Sequence, residues 1–173
     1  MAPTSYQSPS KGDKDDKSTY SQSAESNLAT TDSTVASILE AKGTDCYCVS
    51  PDDTIGTVVN LLREKRIGAV MVTEGDEVKG ILSERDIVRR LADTPGKTLP
   101  QSVRDLMTTK VQFCAPSDRL IEVLEHMNKG RFRHMPVMTD GKLGGIVTVG
   151  DVVGHRLKEL EYEALRMKQM IVG

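Results

Sequence analysis

The sequence predicts an α+β fold built from two copies of one helix–strand–helix–strand–strand–helix unit, packed with pseudo-two-fold symmetry. Three observations predict it. Stretches with apolar residues at helical spacing alternate with short aliphatic runs bounded by turn signals. The chain repeats itself: Pro51 matches Pro116, and that offset of 65 carries through to about Val153 without a gap. Aromatic residues make up only 3% of the 173 residues and Trp is absent, so any core must be built from Val, Ile, Leu, Met and Ala.

Residues 1–32 are rich in Ser, Thr, Gln, Asp and Lys and nearly lack large aliphatics, and KGDKDDK mixes both charge signs. Such a stretch buries too little apolar area to offset its ordering entropy, which predicts a disordered, solubilising tail. From Thr34 the pattern becomes periodic. TVASILEAK reads as a short helix and CYCVSPDD as a short strand leaving into a turn. In TIGTVVNLLREK, Ile55, Val58, Val59 and Leu62 fall at i, i+3, i+4 and i+7, one face of a helix. AVMVTEGDEVKGILS reads as two strands joined around Gly75–Asp76, and ERDIVRRLAD as a helix.

The second copy restates this. Asp53 pairs with Asp118, Val58 with Val123, Leu62 with Met127, Gly80 with Gly145, Ser83 with Thr148, Asp86 with Asp151 and Val88 with Val153. Upstream, TVASIL matches SVRDLM at an offset of 68, so the first copy carries three more residues before its first strand. The expected divisions are a tail over 1–32, copies over 33–95 and 96–157, and a helical extension over 158–173. From the end of the second copy into that extension, Leu157, Leu160, Leu165 and Met167 form an apolar stripe suited to a partner helix or to an exposed helix surface. One copy alone holds a small core, so the two are expected to fold together.

Composition narrows the function. The formal net charge is −2, without the basic surplus of a general nucleic-acid binder. The longest apolar run, IGAVMV, is too short to cross a bilayer, and no secretory signal is read at the N-terminus. Three cysteines, an odd number, fit the reducing cytoplasm. Cys46-x-Cys48 resembles half a metal site, but no second Cys pair or His cluster has zinc spacing, so both are read as small buried apolar residues and no metal is expected. His126 and His155 read as surface positions on helices. There is no nucleophile–base constellation and no Gly-rich phosphate loop of Walker or Rossmann type, so no enzymatic activity is expected.

The helix–strand opening TVASIL…CYCV, the helix TIGTVVNLLREKRIGAVMV and the closing GILSERD recur as SVRDLM, SDRLIEVLEHMNKGRFRHMPVM and GIVTVGD. In order and in register, these resemble the CBS domain, and the tandem resembles a stand-alone Bateman module. Two meanings of GILSERD and GIVTVGD follow. Ser83-x-x-Asp86 and Thr148-x-x-Asp151 fit a capping box at a strand-to-helix turn with no ligand at all. The same geometry offers a phosphate the positive end of a helix and a hydroxyl donor, and offers a ribose an aspartate acceptor. The resemblance implies that Ser83, Asp86, Thr148 and Asp151 hold the ribose and phosphate of an adenosine nucleotide.

Counter-charge for the phosphate is expected from Arg131, Arg133 and His134 in the second copy, whereas the first has only Arg66, with Gly68 and Ala69 following. In similar modules this basic turn reaches the cleft facing the other copy, which pairs Arg131, Arg133 and His134 with Ser83 and Asp86. A base slot is expected from Met135, Pro136 and Val137 beside Val111, and from Val70 and Met71 near Cys46 and Tyr47. The resemblance thus implies a regulatory module binding AMP, ATP or NAD(H), a homodimer, and a protein effector acting in trans. Two phosphate-friendly clefts favour AMP or NAD over S-adenosylmethionine, which has no phosphate. A ligand-free dimerisation scaffold, S-adenosylmethionine binding and nucleic-acid binding are the alternatives.

Overall fold

The computed structural model describes residues 33–172. The tail expected over residues 1–32 lies outside the described residues. The first copy comprises α1 (Val35–Lys42), β1 (Cys48–Val49), α2 (Ile55–Lys65), β2 (Ala69–Glu74), β3 (Glu77–Ser83) and α3 (Glu84–Asp93). The second comprises a 3-10 turn (Val103–Asp105), α4 (Leu120–Gly130), β4 (His134–Thr139), β5 (Lys142–Thr148) and α5 (Val149–Val172). β1 runs parallel to β2, and β2–β3 and β4–β5 are antiparallel hairpins. Both hairpins bulge at the same place, after Val72 and after Val137. The duplication therefore extends to backbone register.

The second copy departs from the expected element list twice. Its opening strand is reduced to one parallel bridge, Cys114 to Val137. Met71 donates its N–H to the Tyr47 carbonyl at 2.9 Å in the first copy. The equivalent residue is Pro136, which has no N–H, so that rung is missing. Only Cys114 N to Pro136 O at 3.0 Å and Met138 N to Cys114 O at 2.8 Å remain. Its opening helix shrinks to the 3-10 turn because the chain, three residues shorter here, must pair Thr108 with Ile81 at once, through bonds of 2.9 and 3.0 Å.

Two cores form, and each takes its lid from the other copy. Val35 and Ile38 of α1 pack among Val123, Met127, Met135, Val137 and Val147. Val103, with Leu106 and Met107, packs among Ile55, Val58, Val72 and Leu82. The backbone records the same exchange. Val35 and Ala36 donate to Asp118 and Pro116 at 3.0 and 2.9 Å, while Val103 and Arg104 donate to Asp53 and Pro51 at 2.8 and 2.9 Å. The exchange explains the repeated glycine. A Cβ on Gly80 would lie 2.9 Å from the Thr108 carbonyl oxygen, and one on Gly145 2.9 Å from Leu39 Cδ2, so each glycine lets the other copy's segment cross. The linker between copies is clasped by buried Thr98, whose hydroxyl donates to the Thr94 carbonyl at 2.9 Å.

The amphipathic face of α2 is narrower than its spacing suggests. Ile55, Val58 and Leu62 are buried, but Val59 is 37% exposed, because α2 meets its sheet on one side only. The cysteine reading is corrected as well. Cys114 is buried, whereas Cys48 is exposed and Cys46 half-buried, since β1 is an edge strand that turns Val49 inward and Cys48 out. His126 is exposed as expected; His155 is half-buried, 3.4 Å from Glu159. Among the described residues no helix is long and apolar enough to cross a membrane, and no cluster of three His, Cys, Asp or Glu is placed to hold a metal ion.

Candidate functional site

Each hairpin delivers its hydroxyl residue to the first turn of the following helix. At the start of α5, Thr148 N donates to Asp151 Oδ2 at 2.8 Å and Asp151 N donates to Thr148 Oγ1 at 3.0 Å, a reciprocal capping box. At the start of α3, Ser83 N and Ser83 Oγ both donate to Asp86 Oδ2, at 3.0 and 2.5 Å. The local reading of the repeated phrase is therefore realised in both copies. Capping engages one carboxylate oxygen only, and among the described residues no donor reaches Asp86 Oδ1.

Beside Ser83 and Asp86 opens a cavity of about 310 Å³, lined from both copies. The first copy contributes Ile81, Ser83, Glu84, Arg85, Asp86 and Arg89; the second contributes Thr108, Lys110, Val111, Gln112 and the turn Gly130–His134. The second copy reaches this place because Thr108 is bonded to β3, which carries Lys110, Val111 and Gln112 along the rim. Arg85 Nη1 donates to the Arg131 carbonyl at 3.1 Å and ties the two sides together. Five arginine and lysine side chains face two carboxylates, so the cavity is a positive basin that favours an anion.

Arg131 sits at φ 56°, in left-handed backbone where glycine is favoured; Arg66 holds the same place at φ 54° in the first copy. The strain of a non-glycine residue there amounts to roughly 1 kcal/mol. The two arginines end up in different surroundings. Arg131 lines the cavity, whereas Arg66 lines a groove of about 550 Å³ between α2 and α3, with Val59, Val88 and Leu91.

His134 lines the cavity and lies against the first copy's turn. A Cβ on Gly68 would be 2.9 Å from its Nε2, so glycine at 68 makes room for this imidazole. Burial, aided by the positive charges of Lys42 and Arg133, pushes the His134 pKa below its usual value despite Glu84 and Asp151. The ring is therefore neutral at neutral pH, a hydrogen-bonding group and not the counter-charge expected from its place beside two arginines.

The surroundings of Thr148 and Asp151 differ. Lys42, the last residue of α1, places Nζ 2.6 Å from Asp151 Oδ2, because α1 packs on the second core. Burial alone would raise the Asp151 pKa. The Lys42 hydrogen bond, those from the Thr148 backbone and hydroxyl, and the Lys42 charge outweigh it and hold the carboxyl below its usual range. This carboxylate already has a cation, while Asp86 has none within ion-pair distance among the described residues.

Of the expected base-slot residues, only Val111 lines the cavity. Val70 and Met135 are each 1% exposed and Pro136 is buried, so their side chains belong to the cores. Tyr47 packs against the first core with Lys65 Nζ 5.4 Å above its ring. Residues not singled out from sequence include Phe132, an apolar wall of the cavity, and Arg85, Arg89, Lys110 and Lys42. Arg85 and Arg89 were legible as an i, i+4 pair at the start of a helix. Lys42 was not, since it reaches Asp151 only through the exchange of lids.

The family model described as CBS domain matches residues 35–93 and 103–158. A solved CBS-domain containing protein from Agrobacterium tumefaciens is 40% identical, with a TM-score of 0.70, covering 74% of this chain and 96% of that one. The structure of CBSX2 in complex with AMP is 28% identical, with a TM-score of 0.58, covering 72% of this chain and 96% of that one. A mitochondrial CBS domain-containing protein of Arabidopsis thaliana, CBSX3, is 28% identical over 150 residues, 81% of this chain and 72% of that protein.

Proposed function

This chain belongs to the CBS domain family as a tandem pair, and from that premise we propose that it is a regulatory module binding an adenosine nucleotide in the cleft walled by Ser83–Asp86 and Arg131–His134. One observation carries the reading: a ribose-type acceptor from one copy and phosphate-type donors from the other line a single cavity. Asp86 Oδ1 accepts from the ribose hydroxyls. The N-terminal turn of α3, with Arg85, Arg131 and Arg133, takes the phosphate. Ile81, Val111 and Phe132 flank the base, His134 acts as a neutral donor or acceptor, and Met135 and Pro136 contribute through their backbone. AMP, ATP and NAD(H) all present this chemistry, and the AMP complex of CBSX2 supports the class. S-adenosylmethionine brings a positive sulfonium and no phosphate to a positive basin, which disfavours it.

Thr148 and Asp151 form a second, weaker site, at which a ligand must compete with Lys42. Binding draws the two copies together, because the cleft has walls from both. In a homodimer this change passes to the partner copy and to a protein effector in trans. The module does so in a reducing compartment, the cytoplasm, without chemistry of its own.

Calorimetric titration with adenosine, AMP, ATP, NADH and S-adenosylmethionine tests this. Asp86→Ala weakens adenosine and AMP alike. Arg133→Ala weakens AMP about tenfold to a hundredfold, the range of a lost charge-assisted hydrogen bond, and leaves adenosine unchanged. If no adenosyl ligand gives a saturable signal with the unaltered chain, the reading is wrong and the ligand-free scaffold stands. Equal losses of AMP and adenosine in Arg133→Ala would remove the phosphate from that arginine.

A further inference from the structure

The last helix carries more apolar surface than the fold covers. Along α5, Val153, Leu157, Leu160, Ala164, Met167 and Ile171 follow at steps of four, three, four, three and four residues. That is the spacing of a heptad seam sustained over the helix. All six are exposed, Leu157 at 56% and Met167 at 57%. The CBS domain match ends at residue 158, so four of the six lie beyond the family's unit. Leu165, which the sequence placed on the stripe, falls one residue off the seam. Stacking of α5 on its own copy's core ends near Val152, the last of its residues in that cluster.

We propose that α5 pairs with α5 of a second copy of this chain as a parallel two-stranded coiled coil. Charge decides both the partner and its direction. In heptad terms Leu157, Ala164 and Ile171 are a positions and Val153, Leu160 and Met167 are d positions. Glu163 then stands at g, and Lys168 at e. In a parallel pair each g faces the e five residues further along the other helix. Glu163 meets Lys168 of the second copy, and Arg156, which also pairs with Glu159 at 3.1 Å in its own helix, meets Glu161. An antiparallel pair overlapping the whole seam would instead set Glu161 and Glu163 each against its own counterpart, two like-charge contacts. Like-sign pairs at these positions disfavour that arrangement.

The test uses the full chain in sedimentation and light scattering across protein concentration. The unaltered protein is expected to be dimeric. Leu160→Asp should raise the dimer dissociation constant at least tenfold, while Leu165→Asp, off the seam on the same helix, leaves it unchanged. Glu163→Lys should weaken association, and Glu163→Lys combined with Lys168→Glu should restore it, which a merely unfolded helix would not allow. With oxidised glutathione added as the oxidant, Met167→Cys should form a disulfide between the two Met167→Cys positions, identified by mass spectrometry. A monomeric unaltered chain, equal effects of the Leu160 and Leu165 variants, no recovery in the charge exchange, or no symmetric cross-link would each overturn the proposal.

Discussion

Lys42→Met removes the cation at Asp151 while keeping a chain of similar length. The two side chains are 32% and 26% exposed and the contact is 2.6 Å. A hydrogen bond to a charged group contributes about 1.5–3 kcal/mol, and an exposed ion pair about 0–1 kcal/mol. A pair with about a third and a quarter of its surface exposed falls between, at about 1 kcal/mol, which lowers the melting temperature by roughly 3 °C for a domain of this size. The pH dependence has a definite sign. Asp151 titrates below its ordinary value of 3.8, so its pairing stabilises the fold at and above that pH and the benefit is lost as pH falls through the lower folded value. Thermal melts followed by circular dichroism at pH 7, 5, 4 and 3 should therefore show the two proteins converging at the acid end. In the titration above, Lys42→Met should also tighten or reveal a second AMP site. Equal melting temperatures at pH 7, or a gap that widens below pH 4, would refute the account of this pair.

Three further outcomes are expected. The His134 pKa lies below its usual 6.5 because burial opposes its charge, so stability should fall as pH drops below about 6.5, and His134→Gln should flatten that slope between pH 5 and 6.5 in urea titrations. Gly80→Ala forces a methyl toward the Thr108 carbonyl at 2.9 Å and should destabilise by about 2 kcal/mol, read by chemical denaturation. Thr98→Val removes the hydroxyl that donates to the Thr94 carbonyl at 2.9 Å and should cost about 1 kcal/mol in the same assay.

Periodicity and repetition made much of the fold legible. The hairpin turns at Gly75–Asp76 and Gly141, the helix of Ile55 to Lys65 and both helix starts were written in local residue types. What was hidden was long-range. Nothing near Val35 announces that it packs under Val147, or that Val103 closes the core of Ile55. The loss of the second copy's strand was readable in Pro136, since a proline cannot supply the rung that Met71 supplies. At the site, the repeated phrase pointed to Ser83 and Asp86, and the basic turn to Arg131 and Arg133, all around one cavity. The base-slot residues were harder, because Val70 and Met135 look alike in sequence whether they meet a ligand or a neighbouring strand. His134 was placed at the site from its neighbours, but its protonation depends on Gly68, Glu84 and Lys42, distant in the chain.

Because each half wears the other's opening segment, a cut in the chain between Asp93 and Val103 would yield two pieces, each missing part of the hydrophobic interior it needs. Neither piece should be a stable object alone, yet mixed together they hold every contact of the intact molecule. The protein is thus a natural candidate for splitting into two fragments that reassemble only in each other's presence. A ligand lodged where both meet would tighten that reunion.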